Sequence, residues 1–160
     1  MLSNWLSVSF FDPEKFTEES INKVKSELTD KAIIAASGGV DSTVAAVLAS
    51  KAVGDNLLAI YVDTGYMRLN ESKFVSSMLE NLGVKHKVVN ASKRFYEGLK
   101  GIIDPEEKRR IIGELFIRVF EEESKEYGGK FLVQGTIAPV WIESGGGILD
   151  TIKSHHKVGG

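Results

Sequence analysis

Lys31-Ala32-Ile33-Ile34-Ala35-Ala36-Ser37-Gly38-Gly39-Val40-Asp41-Ser42 carries a short apolar run into a glycine turn and then into a helical stretch. A nearly continuous apolar run without polar alternation is the pattern of a parallel strand covered on both faces. The glycines let the backbone turn tightly and approach a ligand with no Cβ in the way. A helix start follows, offering unpaired N–H groups and a positive dipole end that together suit a phosphate. Ser37 and Ser42 add hydroxyl donors. Asp41 is the informative residue, because a carboxylate inside an anion site requires a cation beside it. Mg²⁺ commonly binds through one or two carboxylates plus substrate phosphates, which makes Asp41 a candidate metal ligand and catalytic residue. The loop is not a Walker A motif, which needs its lysine. The competing reading is a plain glycine turn with Asp41 or Ser42 as helix N-cap. The whole hexapeptide, placed between strand and helix, favours phosphate.

Working outward, apolar runs at 31–36, 57–62, 84–89 and Phe131–Gln134 predict buried strands. Helices are predicted at 17–28 through Ile21, Val24 and Leu28, and at 42–53, running to Gly54 as a C-terminal stop. Another is predicted at 71–82, with Asn70 as N-cap and Gly83 as stop. There Phe74, Met78 and Leu82 form one stripe, with Val75 and Leu79 beside it. The strongest helix is Pro105–Tyr127: Asp104 caps it, Glu107 completes a capping box, and Ile111, Ile112, Leu115, Phe116, Val119 and Phe120 repeat at helical spacing, leaving 121–123 outside. The alternation predicts an α/β fold, an open twisted parallel sheet with helices on both faces and right-handed crossovers. Such sheets bind ligands at the carboxyl ends of their strands.

The chain has 160 residues, a net charge of −2 and no cysteine. That length suffices for a core without covalent staples. Near-balanced charge gives no reason to expect a nucleic-acid or membrane-surface partner. No secretory leader pattern opens the chain and no apolar run is long enough to span a bilayer, so a cytoplasmic location is expected. Without cysteine no thiolate can form, and any glutamine-splitting chemistry that needs one must sit on another chain. Closing on Gly159-Gly160, the sequence reads as part of a longer protein.

The hexapeptide at 37–42 resembles the pyrophosphatase loop of the N-type ATP pyrophosphatases, which grips the pyrophosphate released from ATP. Four further stretches resemble the GMP synthetase family within that group. They are Tyr61-Val62-Asp63-Thr64-Gly65 with Met67-Arg68-Leu69-Asn70-Glu71, then Asp104-Pro105-Glu106-Glu107-Lys108-Arg109-Arg110-Ile111-Ile112-Gly113 running on to Phe116-Ile117-Arg118-Val119-Phe120. Next come Gln134-Gly135-Thr136-Ile137-Ala138-Pro139 with Ile142-Glu143-Ser144-Gly145, and finally Ile152-Lys153-Ser154-His155-His156 with Val158-Gly159-Gly160.

The resemblance implies that ATP and Mg²⁺ are held by Ser37, Gly38, Gly39, Val40, Asp41 and Ser42. Val62, Asp63 and Gly65 would meet adenosine, although Asp63 also reads as a strand-end turn residue. Gln134, Gly135 and Thr136 end another strand, where glycine admits an adenine ring. Arg118, among apolar neighbours, is a candidate for a bidentate anion contact, whereas 108–110 reads as a partly solvated helix face. Adjacent His155 and His156 point in different directions, which disfavours a zinc site. The resemblance divides the chain into a helical lead-in at 1–30, the ATP-pyrophosphatase domain at 31–138 and a mobile lid at 139–160, with Lys153 stabilising phosphate charge. It further implies xanthosine monophosphate (XMP) and ammonia as substrates, a separate glutaminase subunit, and a C-terminal dimerisation domain outside this chain that makes the longer protein a homodimer. Val140 stands where the family commonly has aspartate, and Lys157 where asparagine is usual. NAD synthetase chemistry and a non-catalytic ATP-binding fragment are the alternatives.

Overall fold

The apolar run at 31–36 forms strand β1 (Ala32–Ala35), and a backbone bond from Ala36 N–H to the Ile60 carbonyl extends its pairing by one residue. The structure is a computed structural model that describes residues 12–134 and the backbone of 141–143. Around β1 the chain forms α1 (Pro13–Glu27), α2 (Val40–Val53), β2 (Leu57–Asp63), α3 (Glu71–Asn81), β3 (His86–Asn90), α4 (Ser92–Leu99), α5 (Pro105–Tyr127), β4 (Phe131–Gln134) and β5 (Trp141–Glu143). The sheet order is β3-β2-β1-β4-β5. Its first four strands are mutually parallel, as predicted, while β5 pairs antiparallel with β4, Trp141 opposite Gln134. That edge strand lies inside the stretch assigned to the lid.

Strand periodicity sends alternate side chains to opposite faces and so builds two cores. Leu57, Ala59 and Tyr61 pack with Val24 of α1, Ala45, Ala46, Ala49 and Ala52 of α2, and Val75 and Leu79 of α3. Leu58, Ile60 and Val62 pack on the other side with Phe95 of α4 and Val119 and Phe120 of α5. The alanines let α2 lie close on β1, which brings its amino terminus to the end of the central strand. Helix α1 belongs to the same core, with Val24 and Leu28 both buried. Among the described residues no helix is long and apolar enough to cross a membrane.

Several local expectations shift. Helix α1 starts a turn earlier than 17, because Asp12 accepts the amides of Glu14 and Lys15 and Pro13 sits in the first turn. In α3 the buried pair is Val75 and Leu79, whereas Phe74 and Leu82 are largely exposed. Helix α4 was not expected; too short to be stable alone, it is held by Phe95, whose ring meets Phe116 edge-on at 5.1 Å. Glu123 is not outside: its side chain is 13% exposed and pairs with Lys87 at 2.5 Å. Glu123 and then Glu126 hold the Lys87 ammonium above its ordinary pKa.

Candidate functional site: a nucleotide-binding edge

The carboxyl ends of β1, β2 and β4 lie side by side at one edge of the sheet. From β1 the chain turns through Ser37, Gly38 and Gly39 directly into α2. Gly38 has φ +80°, and a Cβ there would fall 2.7 Å from Cγ2 of Val75, so both conformation and space demand glycine. Ser42 ties the loop from inside: its hydroxyl donates to the Gly39 carbonyl at 3.1 Å, accepts the Ser37 amide at 3.3 Å, and lies 3.0 Å from the Ser37 hydroxyl.

Helix α2 begins with Gly39 as N-cap and no side-chain cap. The first-turn amides of Val40, Asp41 and Ser42 are therefore open to a ligand. Neither Asp41 nor Ser42 is the N-cap; both stand inside the first turn. The Asp41 carboxylate is exposed and has no hydrogen bond or ion pair among the described residues. A lone oxygen ligand beside amides aimed at phosphate suits Mg²⁺ held mainly by phosphate oxygens. No cluster of three acidic or histidine side chains able to cage a metal occurs among the described residues.

On the neighbouring strand, Val62 is buried in the sheet and Asp63 closes β2. Asp63 Oδ1 accepts the Gly65 amide at 2.9 Å, and Oδ2 accepts the Ser72 hydroxyl at 2.5 Å. Both oxygens are thus engaged within the protein, and the strand-end turn reading of Asp63 holds. Gly65, at φ +80°, would place a Cβ 2.8 Å from Cβ of Ser92. Glu71 accepts the Arg68 amide at 2.8 Å and closes the entry to α3, while Asn70 occupies the N-cap in the left-handed region, φ 62°, without a side-chain bond. The Tyr61 hydroxyl is buried with no hydrogen bond among the described residues. Burial first, then the Glu71 carboxylate, raises its pKa; nearby Ser72 offsets part of that shift but is committed to Asp63.

Gln134 ends β4, next to β1. Arg118 stands exposed and without a partner among the described residues, while Arg109 pairs with Glu106 and Arg110 with Glu114 along the same helix. The 108–110 run is therefore largely the solvated face expected of it. Gly135, Thr136 and Lys153 lie outside the described residues, as do Val140 and Lys157. The sequence reading missed Ser72 and gave Val75 only as part of a helix stripe, although Ser72 bonds Asp63 and Val75 lies against Gly38; no periodicity links them to those residues. A cleft of about 780 Å³ lined by Ser50, Lys51, Asp55, Glu80, Lys85 and His86 opens where α2 and α3 end, and it contains none of the predicted site residues.

A doubly wound α/β sheet with an uncapped glycine loop at the end of its central strand is an architecture that binds nucleotides at the carboxyl ends of its strands. The chain belongs to the NAD synthase family, whose model matches residues 13–116 and places it among the N-type ATP pyrophosphatases. That family is an ATP-using one. It is 53% identical over 148 residues to a glutamine-hydrolyzing GMP synthase subunit from Thermoplasma acidophilum, covering 90% of this chain and 48% of that protein. Proteins of the same name from Pyrococcus abyssi and Methanocaldococcus jannaschii are 54% and 55% identical, each over 92% of this chain and 47% of theirs. The chain thus spans about half the length of these curated relatives. Among solved structures, the ammonia-dependent NAD synthetase of Campylobacter jejuni superposes with a TM-score of 0.67 at 14% identity, covering 79% of this chain and 57% of that one. An NMN synthetase from Francisella tularensis gives 0.66 at 18%, over 79% and 55%. At such identities the likeness concerns the fold.

Proposed function

We propose that this chain is the ATP-pyrophosphatase part of a GMP-forming ligase. The O2 oxygen of XMP attacks the α-phosphorus of ATP, the bond from that phosphorus to the bridging oxygen breaks, and pyrophosphate leaves. Ammonia then attacks C2 of the adenylylated purine; the C2–O bond breaks, AMP departs, and a proton is lost to give GMP. The open amides of Val40, Asp41 and Ser42 receive the phosphates, and the Val62–Gly65 edge of β2 faces the adenosine. Mg²⁺ held by Asp41 would neutralise charge on the departing pyrophosphate. Catalysis is then positioning and charge stabilisation, with no covalent nucleophile.

The observation that carries the phosphate chemistry is the uncapped start of α2 with Asp41 unpartnered beside it. The choice of purine rests on relatives above 50% identity that are named as one subunit of a GMP synthase. Their name also supports a partner: with no cysteine here, ammonia from glutamine comes from a separate glutaminase subunit. In this reading Gln134, Gly135 and Thr136 border the adenine, and Arg118 and Lys153 meet phosphate or substrate charge. Residues 139–160 form the lid, and a homodimer is completed by sequence beyond this chain. A cytoplasmic location fits such a biosynthetic enzyme.

The test is release of AMP and pyrophosphate from ATP with each acceptor supplied in turn. Sustained release that requires both XMP and ammonia is expected, with XMP alone giving at most one equivalent of pyrophosphate and no AMP. Release that responds to deamido-NAD instead would replace the acceptor, and tight ATP binding with no release under any condition would leave a binding module.

A further inference from the structure

Asp63 and Gly38 sit at the ends of adjacent strands, one on the turn proposed to face adenosine and the other in the loop proposed to face the phosphates. Helix α3 touches both. Its first turn supplies Ser72, whose hydroxyl donates to Asp63 Oδ2 at 2.5 Å, while Asp63 Oδ1 holds the Gly65 amide at 2.9 Å. One turn on, Val75, 1% exposed, lies against the inside of the Gly38 bend. Glu71 anchors the helix entry through the Arg68 amide. Successive residues on one face of a single rigid helix thus brace two separate connections.

We propose that Ser72 is a positioning residue for the nucleoside half of the nucleotide. It fixes the Asp63 carboxylate, and through it the Thr64-Gly65 backbone, at a set distance from the phosphate loop that Val75 braces. Because both Asp63 oxygens are engaged, the turn presents backbone rather than a free carboxylate to the nucleoside. This suits a neutral adenosine better than a charged group, since a bare carboxylate here would be costly to bury beneath a bound base. The inference rests on the proposed reading that the β2 turn meets adenosine.

The two halves can be separated by ligand. Binding of ATP, AMP and magnesium pyrophosphate to the full chain is measured by calorimetry for wild type, Ser72→Ala and Ser72→Thr. Ser72→Ala is expected to weaken AMP and ATP by about five- to tenfold and leave pyrophosphate within about twofold, since the loop keeps its own bonds. Ser72→Thr retains the hydroxyl and should return AMP affinity to within about twofold of wild type. Because Ser72 acts through Asp63, Asp63→Asn combined with Ser72→Ala should be no weaker than the worse single variant, the non-additivity of one shared contact. Equal weakening of AMP and pyrophosphate would show a general collapse and overturn the proposal, as would unchanged AMP affinity in Ser72→Ala. A wild-type chain that binds pyrophosphate but neither ATP nor AMP would overturn the adenosine reading, and the inference with it.

Discussion

Helices α5 and α2 begin in opposite ways. At α5 the Asp104 carboxylate accepts the Glu107 amide at 2.7 Å, Pro105 fills the first turn, and Glu106 and Glu107 meet the positive end of the dipole. Helix α2 starts on a glycine with no capping side chain, and its one first-turn carboxylate, Asp41, has no partner among the described residues. A cap typically contributes about 1 kcal/mol. The protein closes the start of α5, whose first residues, 104–110, are exposed, and leaves open the start of α2 at the end of the central strand. An end left open forgoes that stabilisation and keeps its donors for an anion.

The largest effect should come from Asp41→Asn. Its carboxylate supports nothing within the described fold, so AMP formation is expected to fall about 100-fold, or ~2.7 kcal/mol, with the thermal midpoint unchanged. A lowered midpoint would mean that Asp41 has a structural partner and would blur the contrast. Next, Gly39→Asp should make α2 resemble α5. Gly39 already has extended N-cap angles, φ −78° and ψ 160°, and a Cβ would meet Ser37 Oγ at 3.4 Å, an ordinary contact. The new side chain should cap the amides and add a few tenths of a kcal/mol to stability. By placing negative charge at the proposed phosphate site, it should also weaken ATP about tenfold or more in a binding titration. Unaltered ATP affinity would break the comparison.

Asp104→Ala tests the other end. Loss of about 1 kcal/mol in denaturant unfolding is expected, with ATP affinity the same, because that carboxylate caps the helix and has no other bond among the described residues. The smallest effect belongs to Tyr61→Phe. The hydroxyl is buried with no hydrogen bond among the described residues, so removing it should change stability by less than about 0.5 kcal/mol, and in the stabilising direction. A loss of more than ~1 kcal/mol would reveal a partner in solution.

What could be read along the chain was whatever neighbours in sequence settle between themselves. The Asp104-Pro105-Glu106-Glu107 helix start, the strand–glycine–helix junction at 31–42 and the apolar parallel strands are all of this kind. Recognition of the family rested on such stretches as well, and the similarity to GMP synthase relatives bears it out. Face choice was harder. Helix α3 offers two apolar lines, and only its docking against β2 and β3 selected Val75 and Leu79 over Phe74. Helix α4 has too few residues to announce itself and exists because Phe95 finds Phe116.

By itself the sequence determined the parallel strands and the glycine junction between β1 and α2, since φ-permissive glycines, strand periodicity and helix-start signals act over a few residues. Tertiary structure alone decided that Asp63 is bound to Ser72 rather than free, that Val75 backs Gly38, and that Glu123 turns inward to Lys87. Each of these joins residues that are distant along the chain. A short hydrogen bond or a close methyl contact arises only when packing brings two elements within a few ångströms.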